Sequence, residues 1–268
     1  RQVLVEDRPI DAGPTVVTMR WFLEEIFEAM GTKMDAELTL ESADVLHRHG
    51  WSDGSQVDIY ADLDRTVAAM SEFAGPSEGD AYRKFVEYAR TIYESVEGPF
   101  IASQKPSIMG ISKHYRSEGL SAMGKIDFSR SMWKALGKYF RDPRLRQLFG
   151  RYATYYGASP FLAPATLNLI AHVEREGVWF LEGGIYALAA ALERIIQANG
   201  GTVRCGELVA EITVDKGRAT GVKLASDEVI EADAVVCNGD VSALATGLLG
   251  DGARKAVKGY PAKKRSLS

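Results

Sequence analysis

Apolar side chains along this 268-residue chain fall into two rhythms, helical spacing and strict alternation, and the switches between them mark the elements. In the stretch 177–214, an extended apolar run from Val178 to Leu181 stops at Gly183-Gly184. A helix is predicted next, with Ile185, Leu188, Ala189, Leu192, Ile195 and Ile196 on one side, the spacing of a one-faced helix. Asn199-Gly200-Gly201 reads as its C-terminal cap. Short β runs are predicted over 202–204 and 208–214, then a hairpin turn at 215–218, a returning strand over 219–224 and another over 229–230. Ala234-Val235-Val236-Cys237 has the unbroken apolar character of a buried parallel strand. It runs into Asn238-Gly239-Asp240, with a helix predicted from about Ser242.

Upstream, Val3-Leu4-Val5 is extended, and residues 11–18 form a glycine/proline loop before a helix. Thr18 is the expected N-cap, and Gly31 ends that helix. Alternation at 38–40, 43–47 and 57–60 predicts strands, with a hairpin turn at Trp51-Ser52-Asp53-Gly54-Ser55. Residues 62–151 are helical in pattern: a helix over 65–73 capped at Leu63-Asp64, a loop over 75–79, and a helix over 80–96 broken at Gly98-Pro99. Asp142-Pro143 opens another helix, with the cap and the first-turn proline both present. That helix stops at Gly157, and Pro164 opens one over 165–173.

Composition narrows the class. Hydrophobic residues make up 46% and charged residues 25% of the chain, as in ordinary globular proteins. The net charge of -4 provides no global positive field, so nucleic acid is not an expected partner. Two cysteines in unrelated places make neither a zinc site nor a disulfide framework. His47 and His49 alternate on one strand, but no carboxylate or cysteine completes a metal-ligand set, so no metal is expected. No run reaches the roughly 18 apolar residues of a spanning helix.

A double glycine before a helix permits close backbone approach and leaves the first N–H groups free for a ligand; Gly183-Gly184 is equally readable as a tight turn. Phe149, Tyr152, Tyr155, Tyr156 and Phe161 form a dense aromatic series, readable as core or as the wall of an apolar tunnel. Residues 106–124 mix Ile108, Met109 and Ile111 with Lys113, His114 and Arg116, and are flanked by Lys105 and Lys125. That mixture suits a segment lying on anionic lipid or a loop covering an apolar cavity. Walker, H-E-x-x-H, G-x-S-x-G and Cys/His nucleophile motifs are all missing from the sequence.

Four pieces carry a family resemblance: DAGPTVVTM (11–19), LRQLFGRYATYYGASPF (145–161), GVWFLEGGIYALAAALERI (177–195) and ADAVVCNGDVSAL (232–244). With them the chain resembles the phytoene desaturase family of amine-oxidase-like flavoproteins, in its hydroxycarotenoid 3,4-desaturase (methoxyneurosporene dehydrogenase) branch. The resemblance implies an α/β (α+β) chain: an incomplete FAD-binding Rossmann-like domain with an inserted β-sheet and a helical substrate domain. The corresponding division is 1–34 and 177–248 for the cofactor domain, 35–176 for the substrate and membrane-facing domain, and 249–268 for the start of a return to it. It further implies that Asp11, Gly13, Pro14, Thr15, Gly183, Gly184, Val209, Asn238, Gly239 and Asp240 border FAD. The five aromatics above would face a carotenoid.

By the same resemblance the chain is an internal fragment of an FAD-dependent carotenoid desaturase. Full-length relatives open with a strand and a G-x-G-x-x-G loop, and no such motif occurs here. The reaction implied moves a hydride from an allylic C–H to the flavin N5, with loss of a proton and a new conjugated double bond, at C3–C4 of a 1-hydroxy or 1-methoxy carotenoid. The expected location is cytoplasmic, peripherally associated with the membrane. No catalytic side chain is nominated; Asp127, Arg130 and Arg116 fall in the helical region with no motif to assign them. The alternatives are another flavin oxidoreductase of the same fold, such as an amine oxidase or a retinol saturase-like enzyme, and a non-catalytic module that binds apolar lipid. Without a phosphate-binding loop, residues 1–268 alone are expected to bind FAD weakly or not at all. A fluorescence titration showing tight FAD binding by this segment would contradict that.

Overall fold

The chain enters through a hairpin: β1 (Gln2–Val5) pairs antiparallel with β2 (Arg8–Asp11) around Glu6 and Asp7, both at positive φ. The structure, a computed structural model, describes residues 2–103, 124–257 and 259. The described residues divide into two compact units, one up to Ile195 and one from Ile196 on.

In the first unit, α1 (Arg20–Ala29) follows the glycine/proline loop. Its cap differs from the expectation: Met19, at φ 51, occupies the N-cap position rather than Thr18, and no side chain caps the helix. A short helix, α2 (Met34–Glu37), leads into β3 (Leu40–Ser42). The expected Asp-Gly hairpin is present: β4 (Val45–Gly50) pairs with β5 (Gln56–Tyr60), and Trp51 N–H donates to the Ser55 carbonyl at 2.9 Å.

Helix α3 (Leu63–Ala74) is capped by Asp62, whose carboxylate accepts from Arg65 N–H at 2.7 Å. Helix α4 (Pro76–Val96) begins earlier than predicted. Gly75, at φ 101, closes α3, and Pro76 takes the first turn of α4, where its missing N–H costs nothing. The expected loop 75–79 is therefore mostly helix. Gly79 serves packing: a Cβ there would collide with Ser71 Oγ of α3.

Helices α5 (Met132–Tyr139) and α6 (Pro143–Gly150) close the core against α4. Ser131 and Asp142 cap them by side-chain acceptance from Lys134 and Arg144 N–H. Phe85 lies 5.3 Å from Phe140 and 4.9 Å from Phe149 between ring centroids, and Phe140 and Phe149 stack at 4.9 Å. Such ring pairs add about 1 kcal/mol each beyond the area they bury. A 3-10 helix (Arg151–Tyr156) continues α6 and stops at Gly157 in the left-handed region. The helix predicted over 165–173 is a 3-10 turn (Ala165–Leu169) followed by α7 (Ile170–Glu176).

One buried carboxylate joins three of these pieces. Glu174 of α7 accepts from Arg151 Nη2 at 3.0 and 2.8 Å, from the Tyr152 hydroxyl at 2.9 Å and from the Tyr155 hydroxyl at 2.9 Å. His47 of β4 completes the group, its Nε2 2.9 Å from Arg151 Nη2. Burial holds the His47 imidazole neutral, its pKa brought down to about 3, and the Arg151 charge and His49 push the same way. His47 thus sits in a polar network, with the His49 ring edge-on to it at 5.5 Å between centroids; no cluster able to hold a metal occurs among the described residues.

The unit closes with β6 (Trp179–Leu181), antiparallel to β3, and helix α8 (Tyr186–Ala198). Val17, Phe27, Met34, Leu38, Leu181, Ala191 and Ile195 form the core there.

The second unit is a three-stranded antiparallel meander, β7 (Val209–Asp215), β8 (Arg218–Leu224) and β9 (Val229–Glu231), with helix α9 (Val241–Thr246). Lys216 (φ 49) and Gly217 (φ 84) make the left-handed pair that a tight hairpin needs. Ile212, Leu244 and Ala253 are its buried centre. Two expected strands are corrected. Residues 202–204 are exposed or half-buried and belong to no strand. The expected buried parallel strand 234–237 belongs to no ladder: Val235 and Cys237 lean on the core, while Val236 is 92% exposed. A parallel strand exists only beside a neighbour, and every ladder among the described residues is antiparallel.

Removing a buried charge leaves its partner unpaired. Glu174→Gln is therefore expected to cost about 3 kcal/mol in urea unfolding, against less than about 1 kcal/mol for Glu24→Gln in its exposed pair with Arg20. Equal losses would show that the network contributes nothing special. Because His47 stays neutral when folded, the unfolded chain takes up a proton below its ordinary 6.5 that the folded chain refuses. Stability is thus expected to fall as pH drops from about 6 to 4, by up to about 1.4 kcal/mol per unit from this group. His47→Gln should flatten that slope in unfolding curves taken across the range; an unchanged slope would assign it to other groups.

Candidate functional site

The candidate site of the first unit is built on three backbone segments that lie side by side. Strand β6 pairs with β3 on one edge, Leu40 opposite Leu181 and Ser42 opposite Trp179. On the other side it meets the glycine/proline loop: Val17 N–H donates to the Trp179 carbonyl at 2.8 Å, and Trp179 N–H donates to the Val17 carbonyl at 2.9 Å. Gly177, at φ 145, lets the strand start under the Trp179 indole, which a Cβ at that position would strike.

Beyond Leu181 the chain turns through Gly183 (φ 80) and Gly184 (φ 84). Gly184 N–H returns to the Leu181 carbonyl at 3.0 Å, and α8 begins two residues later. Asp11, at the end of β2, reaches this turn. Its Oδ2 accepts from Tyr186 N–H at 3.4 Å, one of the first free N–H groups of the helix. A Cβ on Gly184 would collide with the same oxygen. Asp11 thus sits against the start of α8, where the helix dipole favours negative charge.

Six of the ten expected cofactor residues therefore belong to one neighbourhood. Asp11 abuts Gly184; Gly13, Pro14 and Thr15 are exposed on the loop that Val17 ties to β6; Gly183 completes the turn. The other four lie in the second unit. Val209 opens β7 opposite Leu224. Asn238 and Gly239 form an exposed loop, and Asp240 caps α9 by accepting from Ser242 N–H at 2.7 Å.

The residues suit a flavin in two respects. A space free of any heavy atom within 4 Å lies where a Gly13 Cβ would be, and two left-handed glycines remove side chains from the turn. Asp11 Oδ1, buried with no hydrogen-bond partner, is an acceptor that a cofactor hydroxyl or N–H could satisfy after a small side-chain rotation.

The five expected substrate aromatics do not face one surface. Phe149 and Tyr152 are sealed in the core, and the Tyr152 hydroxyl is spent on Glu174. Tyr155, Tyr156 and Phe161 are 60%, 71% and 60% exposed, next to Leu162 at 86%. Glu174 itself escaped the sequence reading. Its partners lie 19 to 127 positions away, although Tyr152 and Tyr155, three residues apart, already shared a face. A second group, Asp127 with Arg130 and Tyr88, also converges. Arg130 Nε donates to both Asp127 oxygens at 2.9 and 2.7 Å, and the Tyr88 hydroxyl donates to Oδ2. The segment 106–123 expected at lipid, with Lys105, lies outside the described residues.

With this geometry in hand, comparison with known proteins is informative. The family model described as "Flavin containing amine oxidoreductase" matches residues 1–264, and the chain belongs to that family. It is 46% identical over its whole length to a hydroxyneurosporene desaturase of Rubrivivax gelatinosus, covering 51% of that protein. It is 42% identical to a hydroxyneurosporene desaturase of Cereibacter sphaeroides over 97% of this chain and 52% of the relative. The chain thus spans about half the length of the curated relatives it matches. Among solved structures, an oxidoreductase from Methanosarcina mazei aligns with a TM-score of 0.51 at 16% identity, covering 92% of this chain and 50% of that one. This similarity supports the mixed helix and strand fold. The expected resemblance to phytoene desaturases agrees with the relatives, and the expected FAD agrees with a flavin-containing family.

Gly184→Val places a branched side chain at φ 84 and into Asp11. In the full-length protein it is expected to strip bound flavin, read as loss of the yellow absorbance after purification, while the protein stays soluble. Full retention of colour would show that the turn does not seat the cofactor.

Proposed function

We propose that this chain is part of an FAD-dependent carotenoid desaturase, and that its two glycine-bearing regions border the flavin. The observation that supports this most directly is the meeting of Asp11 with the Gly183-Gly184 turn at the start of α8. Both pieces come from motifs that carry the family resemblance, and the hydrogen bond between them joins residues 175 positions apart, Asp11 and Tyr186. The similarity to hydroxyneurosporene desaturases over the whole chain supports a hydroxylated carotenoid as the substrate class.

Bound flavin would accept the hydride in this reading; the protein supplies binding, orientation and exclusion of water. Asp11, Gly13, Pro14, Thr15, Gly183 and Gly184 contact the cofactor from the first unit. Val209, Asn238, Gly239 and Asp240 are the further cofactor residues that the family resemblance implies. Tyr155, Tyr156 and Phe161 offer apolar surface to the polyene, with Phe149 and Tyr152 as the rigid layer behind them. The substrate dissolves in membranes, so the whole protein works peripherally at a bilayer. No helix among the described residues is long and apolar enough to cross one. The domain division at 1–34, 35–176, 177–248 and 249–268 belongs to the same reading.

Full-length protein purified with its flavin and given a hydroxylated acyclic carotenoid in liposomes is expected to yield a product two hydrogens lighter, absorbing at longer wavelength. Tight polyene binding by a protein without any flavin absorbance would instead identify a lipid-binding module. Flavin reduction by amines but not by carotenoids would identify an amine oxidase.

A further inference from the structure

The chain holds three asparagines, Asn168, Asn199 and Asn238, and the last two precede glycine. Their surroundings differ. Asn168 is fully buried, its Nδ2 donates to the Ala165 carbonyl at 2.9 Å, and Leu169 follows it. Asn199-Gly200-Gly201 closes α8: Gly200 N–H donates to the Gln197 carbonyl at 3.0 Å, and Gly201 N–H to the Ile196 carbonyl at 2.8 Å. Asn238-Gly239 lies between the extended run 234–237 and α9, and both residues are exposed. Among the described residues, nothing accepts a hydrogen bond from Gly239 N–H, and the Asn238 side chain has no hydrogen-bond partner.

An Asn-Gly pair carries its own reaction. The glycine amide nitrogen gives its proton to solvent and attacks the carbonyl carbon of the asparagine side chain. A new C–N bond forms, the bond to the side-chain nitrogen breaks, and that nitrogen takes a proton and leaves as ammonia. Water then opens the cyclic imide at either carbonyl, giving aspartate or isoaspartate. No oxidant or catalyst enters the balance. Glycine favours the attack because it sets no Cβ beside the nitrogen and leaves the backbone free to turn. A hydrogen bond donated by that N–H opposes it, since the bond is lost with the proton. Gly200 is held in this way and Gly239 is not.

We propose that Asn238 is a modification site, converting spontaneously to aspartate and isoaspartate in the flavin-free chain while Asn199 is spared. The change adds a negative charge, and isoaspartate lengthens the backbone by one methylene just before Asp240, which caps α9 through Ser242 N–H at 2.7 Å. One part rests on the reading above that this loop borders FAD: bound flavin covers the loop and slows the conversion. Asn238 is then a timer on protein that has not taken up its cofactor.

The test uses the full-length protein, as purified with flavin and after flavin removal, with circular dichroism showing that the stripped protein keeps its helices. Both samples are incubated at mildly alkaline pH in water enriched in heavy oxygen, which marks each carboxylate as it forms. The tryptic peptides 195–204 and 224–254 carry Asn199 and Asn238 as their only asparagines, so mass spectrometry reads the two sites separately. In stripped protein Asn238 is expected to convert about tenfold faster than Asn199, the factor that a single hydrogen bond is worth. Gly239→Ala should suppress the conversion; its Cβ would meet Cys237 Sγ at 3.8 Å, an ordinary contact, so the variant should fold. Equal rates at the two sites, an unchanged rate in Gly239→Ala, or no conversion of Asn238 in stripped protein overturns the proposal. Conversion of Asn238 that flavin does not slow would still support the modification site and would count against the loop as a cofactor contact.

Discussion

The larger unit depends on how the Glu174 carboxylate is held. A buried carboxylate is stable only with donors on both oxygens, and here an arginine and two tyrosines supply them. Those donors come from the 3-10 segment after α6, and His47 reaches the same group from β4. The network therefore fixes a strand, a 3-10 helix and an α-helix relative to each other. The aromatic core around Phe85, Phe140 and Phe149 supplies hydrophobic energy but little direction. The charged group supplies the direction.

The proposed cofactor side of the same unit works by backbone contact. Strand β6 is short, yet it is hydrogen-bonded to β3 and bridged to Val17. That arrangement holds the Gly183-Gly184 turn in place. Asp11 adds a long-range polar contact to the start of α8. A surface proposed to take a flat ligand benefits from this economy, because glycines fix the turn without side chains of their own.

Much of this was legible in the chain. The Asp-Gly hairpin, the Asp142-Pro143 helix start and the meander around Lys216-Gly217 follow local rules, and the structure keeps them. The failures have long-range causes. Gly79 looked like a loop residue because glycine usually breaks helices; in the fold it lets α4 approach Ser71. Thr18 had cap chemistry, but the neighbouring strand contact at Val17 sets the backbone there, and the helix begins after Met19. Residues 234–237 had the composition of a buried strand, but composition does not supply a neighbouring strand. Of the candidate site, the glycines and Asp11 were readable through motifs. Glu174 and the Asp127–Arg130–Tyr88 group were not, since neither forms a contiguous pattern.

The pairing of Ser42 with Trp179, continued by the Ala43 N–H to the Val178 carbonyl at 2.8 Å, has an evolutionary reading. The chain leaves and re-enters the β3–β6 ribbon at neighbouring points. An insertion with neighbouring ends can lengthen, shrink or be exchanged while the two strands that anchor it stay in register. A lineage could in this way change the molecules it accepts by rewriting the insert, without disturbing the turn that the insert flanks.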